Sequence, residues 1–269
     1  MIDHDNLENY ADPGAYDLED SSDTGVAFYN ALARETGGPI LEIACGTGRV
    51  AIPIALAGFA VTGVDIAPGM LDVARRKSVG LPVRWVEGDG RVFDLGEQFR
   101  LVFLTGNAFQ AFLTRADQEA LLGSVRAHLR DDGLFAFETR NPRWARRDLP
   151  GSTAESGGDG LFAYLESLPG ETPAVLRTDP LGREVRVSRS QVYDHETQVL
   201  HWTTHRRWRE DGQERESASR IAVRFTFPRE LEALLHYNGF TIERQFGDWD
   251  LQPLSAESPS IISVCRKRT

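Results

Sequence analysis

From Pro39 onward, short apolar runs alternate with amphipathic stretches. Ile40–Ala44, Ala60–Asp65, Pro82–Glu87, Phe99–Leu104 and Leu134–Thr139 each have the length and β-rich content of a buried strand. Between them lie segments of helical period. Val50–Ala57 follows a glycine turn, and Pro68 suits the first position of a helix carrying Met70, Val73 and Ala74. Thr114 with Asp117 three residues on has the spacing of a capping box. The helix it opens puts Leu121, Val125 and Leu129 on one face and stops at Gly133. Strands alternating with helices in this way predict a parallel sheet covered on both faces.

That rhythm ends after Pro142. Residues 150–182 hold four prolines and six glycines without a period and read as an irregular loop or cap. Three strand-like runs follow. Glu184–Tyr193 connects through residues 194–197 to Val199–Arg209, which connects through residues 210–213 to Ser217–Phe227. Period-two spacing places Leu200, Trp202, Thr204, Arg206 and Trp208 on one face of the middle run, and Ile221, Val223, Phe225 and Phe227 on one face of the last. Pro228 starts a helix with Leu231, Leu234 and Leu235, and the strands Thr241–Phe246 and Ser260–Arg266 close the chain. The expected fold is α/β: a doubly wound, mostly parallel seven-stranded Rossmann-like sheet with an antiparallel β-meander inserted after strand 5.

Composition narrows the function class. The chain has 269 residues, 41% hydrophobic and 26% charged, which are ordinary values for a globular protein. Its net charge of −10 is concentrated at one end. Residues 1–33 carry Asp3, Asp5, Glu8, Asp12, Asp17, Glu19, Asp20 and Asp23 with no Lys or Arg, which leaves the rest near −2. No basic footprint for nucleic acid is present, and no apolar run is long enough for a membrane span or a leader. With two cysteines, Cys45 and Cys265, neither a disulfide framework nor a CxxC metal site is expected, and a cytoplasmic location is.

The most informative segment is Leu41-Glu42-Ile43-Ala44-Cys45-Gly46-Thr47-Gly48-Arg49, where a strand runs into two spaced glycines and then a helix. Gly46 and Gly48 permit a sharp turn and a close ligand approach, and the helix start offers free N–H groups. A glycine loop alone also fits a dinucleotide fold, and Asp65, closing the second strand, would hold ribose hydroxyls in either case. Glu42, inside the first strand, can balance a cationic ligand group. Asp89, in Glu87-Gly88-Asp89-Gly90, can accept from an adenine amino group. Cys45 reads as a small packed residue beside the turn.

These residues resemble the class I S-adenosylmethionine-dependent methyltransferases. The pieces that match are Glu42–Gly48, Gly63–Leu71, Gly88-Asp89 and Leu104–Gln110, in the family's order and on the right elements. The resemblance covers residues 24–141 and the closing helix and strands, and it implies S-adenosyl-L-methionine as cofactor. It implies that Glu42 and the backbone of Ala44, Cys45, Gly46 and Gly48 lie along the methionine part. Asp65 and neighbouring Ile66 would take the ribose, Met70 would pack near adenine, and Asp89 and Gly90 would meet the ring. Leu104, Asn107 and Phe109 would flank the methyl-transfer site, and Tyr16 would cover the cofactor from an N-terminal segment. Ala44 stands where the family's loop has its first glycine. Asn107 stands where a subset has an acid, so no metal and no acid-assisted variant is expected.

Methyl transfer from a sulfonium is an in-line displacement that needs alignment and exclusion of water more than a base, and the sequence offers no hydrolytic triad. No residue is assigned as a general base. The organisation that follows is an acidic covering segment at 1–23, a cofactor-binding domain at 24–141 and 228–269, and a β-rich substrate lid at 142–227. Phe109, Arg140, Trp144 and Trp202 are the candidate acceptor contacts. The antiparallel insertion is similar to that of small-molecule N-methyltransferases, including those that dimethylate amino sugars. Transfer to a nitrogen or oxygen of a small molecule is therefore expected, and a homodimer through the meander is what the resemblance implies. The rivals are a nicotinamide-dependent oxidoreductase and a non-catalytic cofactor-binding partner subunit.

Overall fold

The computed structural model describes residues 7–8, 10–11, 13–19, 23–142, 171, 173–179 and 182–268. In chain order these form α1 (Pro13–Glu19), α2 (Val26–Thr36), β1 (Ile40–Ile43), α3 (Ala51–Leu56), β2 (Val61–Asp65), α4 (Pro68–Lys77), β3 (Val83–Glu87) and β4 (Phe99–Leu104). A 3₁₀ turn (Ala108–Ala111) precedes α5 (Arg115–His128) and β5 (Leu129–Arg140). Then come β6 (Val175–Thr178), β7 (Glu184–Asp194), β8 (Val199–Glu210), β9 (Gln213–Arg224), α6 (Pro228–Tyr237), β10 (Phe240–Phe246) and β11 (Ser260–Lys267).

Seven strands form one sheet in the order β10-β11-β5-β4-β1-β2-β3. β1 pairs in parallel with β2 and β4, β2 with β3, and β4 with β5, whereas β11 runs antiparallel to both β5 and β10. The chain reverses its direction of growth between β1 and β4, the place where open α/β sheets bind ligands at the strand carboxyl ends. Alternate side chains of the central strands enter two cores. Leu41, Ile43, Val102, Leu104, Phe135 and Phe137 pack with Leu121, Leu122 and Val125 of α5 and Leu231 and Leu235 of α6. Ile40, Val61, Leu101, Phe103 and Ala136 pack with Tyr29, Leu32 and Ala33 of α2 and Ile54 of α3. Coverage on both sides explains why these strands read as continuous apolar runs.

A second, four-stranded antiparallel sheet follows strand 5 in the order β6-β7-β8-β9. Leu200, Val223 and Phe225, with Tyr193 and Trp202 against them, form its own small core on the face that period-two spacing selects. Two details differ from the sequence pattern. β6 falls inside the stretch read as irregular, because all four of its residues are exposed and no apolar alternation marks it. α5 ends at His128 rather than Gly133. The ring Nδ1 of that histidine lies 2.8 Å from the Ser124 carbonyl in the last turn, and Leu129 already pairs with Phe99 in the sheet. The Thr114–Asp117 capping box is formed, with Asp117 N–H donating to Thr114 Oγ1 at 3.1 Å. Among the described residues no helix is long and apolar enough to cross a membrane.

Candidate active site

The carboxyl ends of β1 through β5 bring most of the predicted site residues to one edge. β1 runs into a turn in which Ala44, Gly46 and Gly48 all have positive φ, at 56°, 54° and 84°. Gly48 is fixed twice over. Its left-handed backbone suits glycine, and a Cβ there would sit 2.8 Å from the Trp85 ring and 2.9 Å from Ile52. Cys45 is buried beneath the turn, and burial pushes its thiol well above the ordinary range, which fits a packed residue.

Asp65 closes β2 and serves two backbone segments. Its Oδ2 accepts from Gly46 N–H at 2.7 Å and its Oδ1 from Ala67 N–H at 2.8 Å, where Ala67 is the N-cap of α4. The same carboxylate therefore ties the glycine turn to the next helix. Burial raises its pKa, opposed by these backbone donors. Beyond it, Ile66 is half-buried and Met70 is buried.

Glu42 is the least satisfied group of the edge. It is 1% exposed, and its Oε2 has no hydrogen-bond partner among the described residues. Burial raises its pKa to about 8, with Arg49 acting in the other direction and Asp65 and Glu138 reinforcing the rise. Such a carboxylate is stable as a charge only if a cation comes to it.

Asp89 differs. Arg91 grips it through Nη2 at 2.6 Å, Nε at 3.0 and 3.1 Å and the backbone N–H at 2.9 Å. Arg91 Nη1 also reaches Asp117 at 2.6 Å. That guanidinium holds the Asp89 carboxyl below the usual range. At Gly90 a Cβ would lie 3.0 Å from Ile43 and 3.1 Å from Phe112, so the glycine sits against an apolar wall to which Phe112 contributes.

β4 ends in Leu104, which is buried, followed by Thr105-Gly106-Asn107. Gly106 and Asn107 have φ of 68° and 58°. Phe109 is fully buried and stacked on Phe137 at 4.7 Å between centroids. Under this turn lies Glu138, 3% exposed, within reach of Tyr29, Thr105 and Asn107. Neither Glu138 nor Tyr29 was singled out from sequence. The acid embedded in the apolar run Leu134–Thr139 was the available signal.

On the acceptor side, Arg140 and Trp202 come together although they lie on different sheets, with the guanidinium carbon 5.7 Å from the ring centroid. Arg140 Nη1 donates to Gln110 Oε1 at 2.9 Å, and Gln110 Nε2 donates to the Arg224 carbonyl at 3.1 Å. This fully buried glutamine, also missed by sequence reasoning, links the β4 turn to β9. Trp202 Nε1 donates to Gln191 at 2.9 Å. Trp144 lies outside the described residues. Tyr16, on α1, meets Tyr10 edge-on at 5.7 Å. The next residue, Asp17, accepts from Thr47 Oγ1 at 2.5 Å, which sets α1 beside the glycine turn.

The arrangement fits a cofactor that carries positive charge and an amino-acid tail. It offers an unpartnered buried carboxylate oxygen on Glu42, a turn stripped of Cβ atoms at Gly46 and Gly48, and more buried acid than base at one edge.

Comparison with known proteins agrees. Residues 40–133 match a family model described as a methyltransferase domain. A putative methyltransferase, YqeM, of Bacillus subtilis (strain 168) is 27% identical over 234 residues, 86% of this chain and 84% of that protein. The cypemycin N-terminal methyltransferase of a Streptomyces species is 29% identical over 177 residues, 65% of this chain and 62% of that protein. A solved structure of S-adenosylmethionine-bound CalS10, an amino pentose methyltransferase from Micromonospora echinaspora, shares the fold at 22% identity with a TM-score of 0.65, covering 94% of each chain. The glycine turn, the acids at the carboxyl edge and the sheet order converge on the class I methyltransferase fold, and residues 40–133 match a methyltransferase domain within it.

Proposed function

We propose that the protein methylates an amine nitrogen of a small molecule. The observation that carries the cofactor half of this reading is the buried, unpartnered Glu42 oxygen beside the glycine turn, because the ammonium of an amino-acid tail would satisfy it there. The nitrogen preference is supported by two similar proteins whose names point to amines, one an N-terminal methyltransferase and the other an amino pentose methyltransferase.

S-adenosyl-L-methionine, when bound, supplies a methyl group already activated by a sulfonium. On this reading Glu42 and the Ala44–Gly48 backbone receive its amino-acid tail, Asp65 and Ile66 its ribose, and Met70, Asp89 and Gly90 its adenine. Leu104, Asn107 and Phe109 border the reacting methyl, and Tyr16 covers the cofactor from α1. Phe109, Arg140 and Trp202 hold the acceptor, with the antiparallel sheet β6–β9 as a wall of the site on the domain of residues 24–141 and 228–268. Alignment and exclusion of water then provide the acceleration, of which well-oriented reactants supply roughly 7–11 kcal/mol. Asp65 is available for this role because its two oxygens offer about four lone-pair sites and the backbone N–H groups of Gly46, Ile66 and Ala67 take no more than three of them.

The two buried free thiols fit a cytoplasmic location, and the acidic balance fits an acceptor other than nucleic acid. The test is tritiated S-adenosylmethionine with paired small acceptors that differ only in carrying an amine or a hydroxyl. Label moving to the amines supports the reading. Label found only on oxygen overturns the nitrogen assignment, and retention of nicotinamide instead of S-adenosylmethionine overturns the cofactor.

A further inference from the structure

Glu138 and Tyr29 are buried polar residues that no step above uses. Tyr29 is fully buried, its ring stacked on Phe103 at 4.6 Å. Its hydroxyl oxygen lies 2.8 Å from the Leu104 carbonyl and 2.5 Å from Glu138 Oε2. Glu138 Oε1 accepts from Asn107 N–H at 3.1 Å and from Thr105 Oγ1 at 3.4 Å, and Gly106 N–H also bonds this carboxyl. Thr105 Oγ1 in turn receives Arg49 Nη2 at 3.4 Å.

A tyrosine hydroxyl has one hydrogen, and here two oxygen acceptors lie within bonding distance of it. If Glu138 were ionised, the two close oxygen pairs would have to share the one Tyr29 hydrogen. If Glu138 carries a proton on Oε2, both pairs are satisfied, and Oε1 remains an acceptor for the turn.

We propose that Glu138 works as a neutral, proton-bearing positioning residue: it donates to Tyr29, Tyr29 donates to the Leu104 carbonyl, and Oε1 gathers the donors of Thr105, Gly106 and Asn107. The turn so held has left-handed backbone at Gly106 and Asn107, a conformation that needs such support at a non-glycine residue. The charged groups around the carboxyl are Arg49 and, across the edge, Glu42. Burial pushes the Glu138 carboxyl up from its ordinary range, in keeping with the proton count. The proposal rests on the reading that this turn borders the cofactor.

Three variants and two measurements test it. Glu138→Gln keeps a donor for Tyr29 and an acceptor for the turn, Glu138→Met removes both, and Tyr29→Phe removes the hydroxyl while keeping the ring. Calorimetric binding of S-adenosylhomocysteine at pH 7 is expected to stay within about threefold in Glu138→Gln. It should weaken by about tenfold or more in Glu138→Met and Tyr29→Phe, the equivalent of one buried hydrogen bond. The infrared difference spectrum between the unaltered protein and Glu138→Gln at neutral pH should contain the carbonyl stretch of a protonated carboxylic acid, a signature that a merely space-filling residue does not give. Binding as weak in Glu138→Gln as in Glu138→Met, unchanged binding in Tyr29→Phe, or a carboxylate signature in place of the acid would overturn the proposal. The infrared result stands whether or not the cofactor binds, so failure of the cofactor reading is seen separately as absent binding in the unaltered protein.

Discussion

The two sheets solve the same packing problem in opposite ways. In the seven-stranded sheet, β1 and β2 are buried along their whole length, and the carboxyls that sit among them are pushed up in pKa by desolvation. In the four-stranded sheet, burial alternates or vanishes, and acids on or against it, such as Asp194 and Glu171, are held below their ordinary range. For Asp194 the main cause is Thr197, and for Glu171 it is Ser188. Buried carboxyls in the first sheet are driven toward the neutral form, whereas acids in the second stay charged on neighbouring donors. The chemistry therefore collects at the edge of the first sheet, and the second supplies a wall.

The sharpest way to test this contrast is to hollow the first sheet. Phe135→Ala removes a fully buried ring stacked on Phe137 at 5.0 Å and tilted against Phe240 at 5.4 Å. A loss of about 3–5 kcal/mol is expected in denaturant unfolding. A loss below about 1 kcal/mol would mean that the two-sided core is not what holds the domain.

Next in size is a pH effect with a definite sign. Glu42 is raised from 4.5 to about 8 in the folded chain, so between those values the folded state binds more protons than the unfolded one. Stability contributed by the neutral carboxyl is full below pH 4.5 and is lost as pH rises through 8, by up to roughly 1.4 kcal/mol per unit within that window. Thermal melts from pH 5 to 8 should show the unaltered protein losing stability relative to Glu42→Gln. A flat difference would place Glu42 in contact with water or a cation.

How far such features were legible from sequence depended on whether they repeat along the chain. β1, β2 and β4 were readable because coverage on both faces makes their composition uniform, and Thr114–Asp117 because a cap is a local pair. The glycine turn and Asp65 were readable as spacing, but Asp65 as the tie between two backbone segments was not, since its partners Gly46 and Ala67 meet only in the fold. β6 was missed because an exposed edge strand has no apolar pattern to show. The cluster of Tyr29, Arg49, Thr105 and Glu138 was missed for the same reason as the Arg140–Trp202 contact. Each joins residues from separate elements, and no periodicity along the chain announces a contact across it.

Asp65 gives the third prediction. Asp65→Ala is expected to weaken S-adenosylhomocysteine binding by about 1–3 kcal/mol in calorimetry, the cost of stranding its hydrogen-bonding partners. The free N–H groups of Gly46 and Ala67 make the melting temperature fall as well, so binding should be compared with Asp65→Asn, which keeps an acceptor for one of them. Affinity unchanged in both variants would remove Asp65 from the cofactor site.

The smallest expected effect lies on the outer face of the second sheet. Val192 on β7 is 69% exposed and stands opposite His201, itself exposed, in the β7–β8 ladder. Thr has nearly the volume of Val and an equal liking for a strand, and its hydroxyl would meet water here. Val192→Thr should therefore change unfolding stability by no more than about 0.5 kcal/mol. The same substitution in the first sheet, at Val102 or Val64, would bury an unpaired hydroxyl and cost several times as much. If Val192→Thr instead costs more than about 1 kcal/mol, or lowers the mass found by light scattering, this face is covered in solution. A second copy of the chain laid on the meander would then be the natural occupant, and the contrast between a buried sheet and a solvated one would hold only for the monomer.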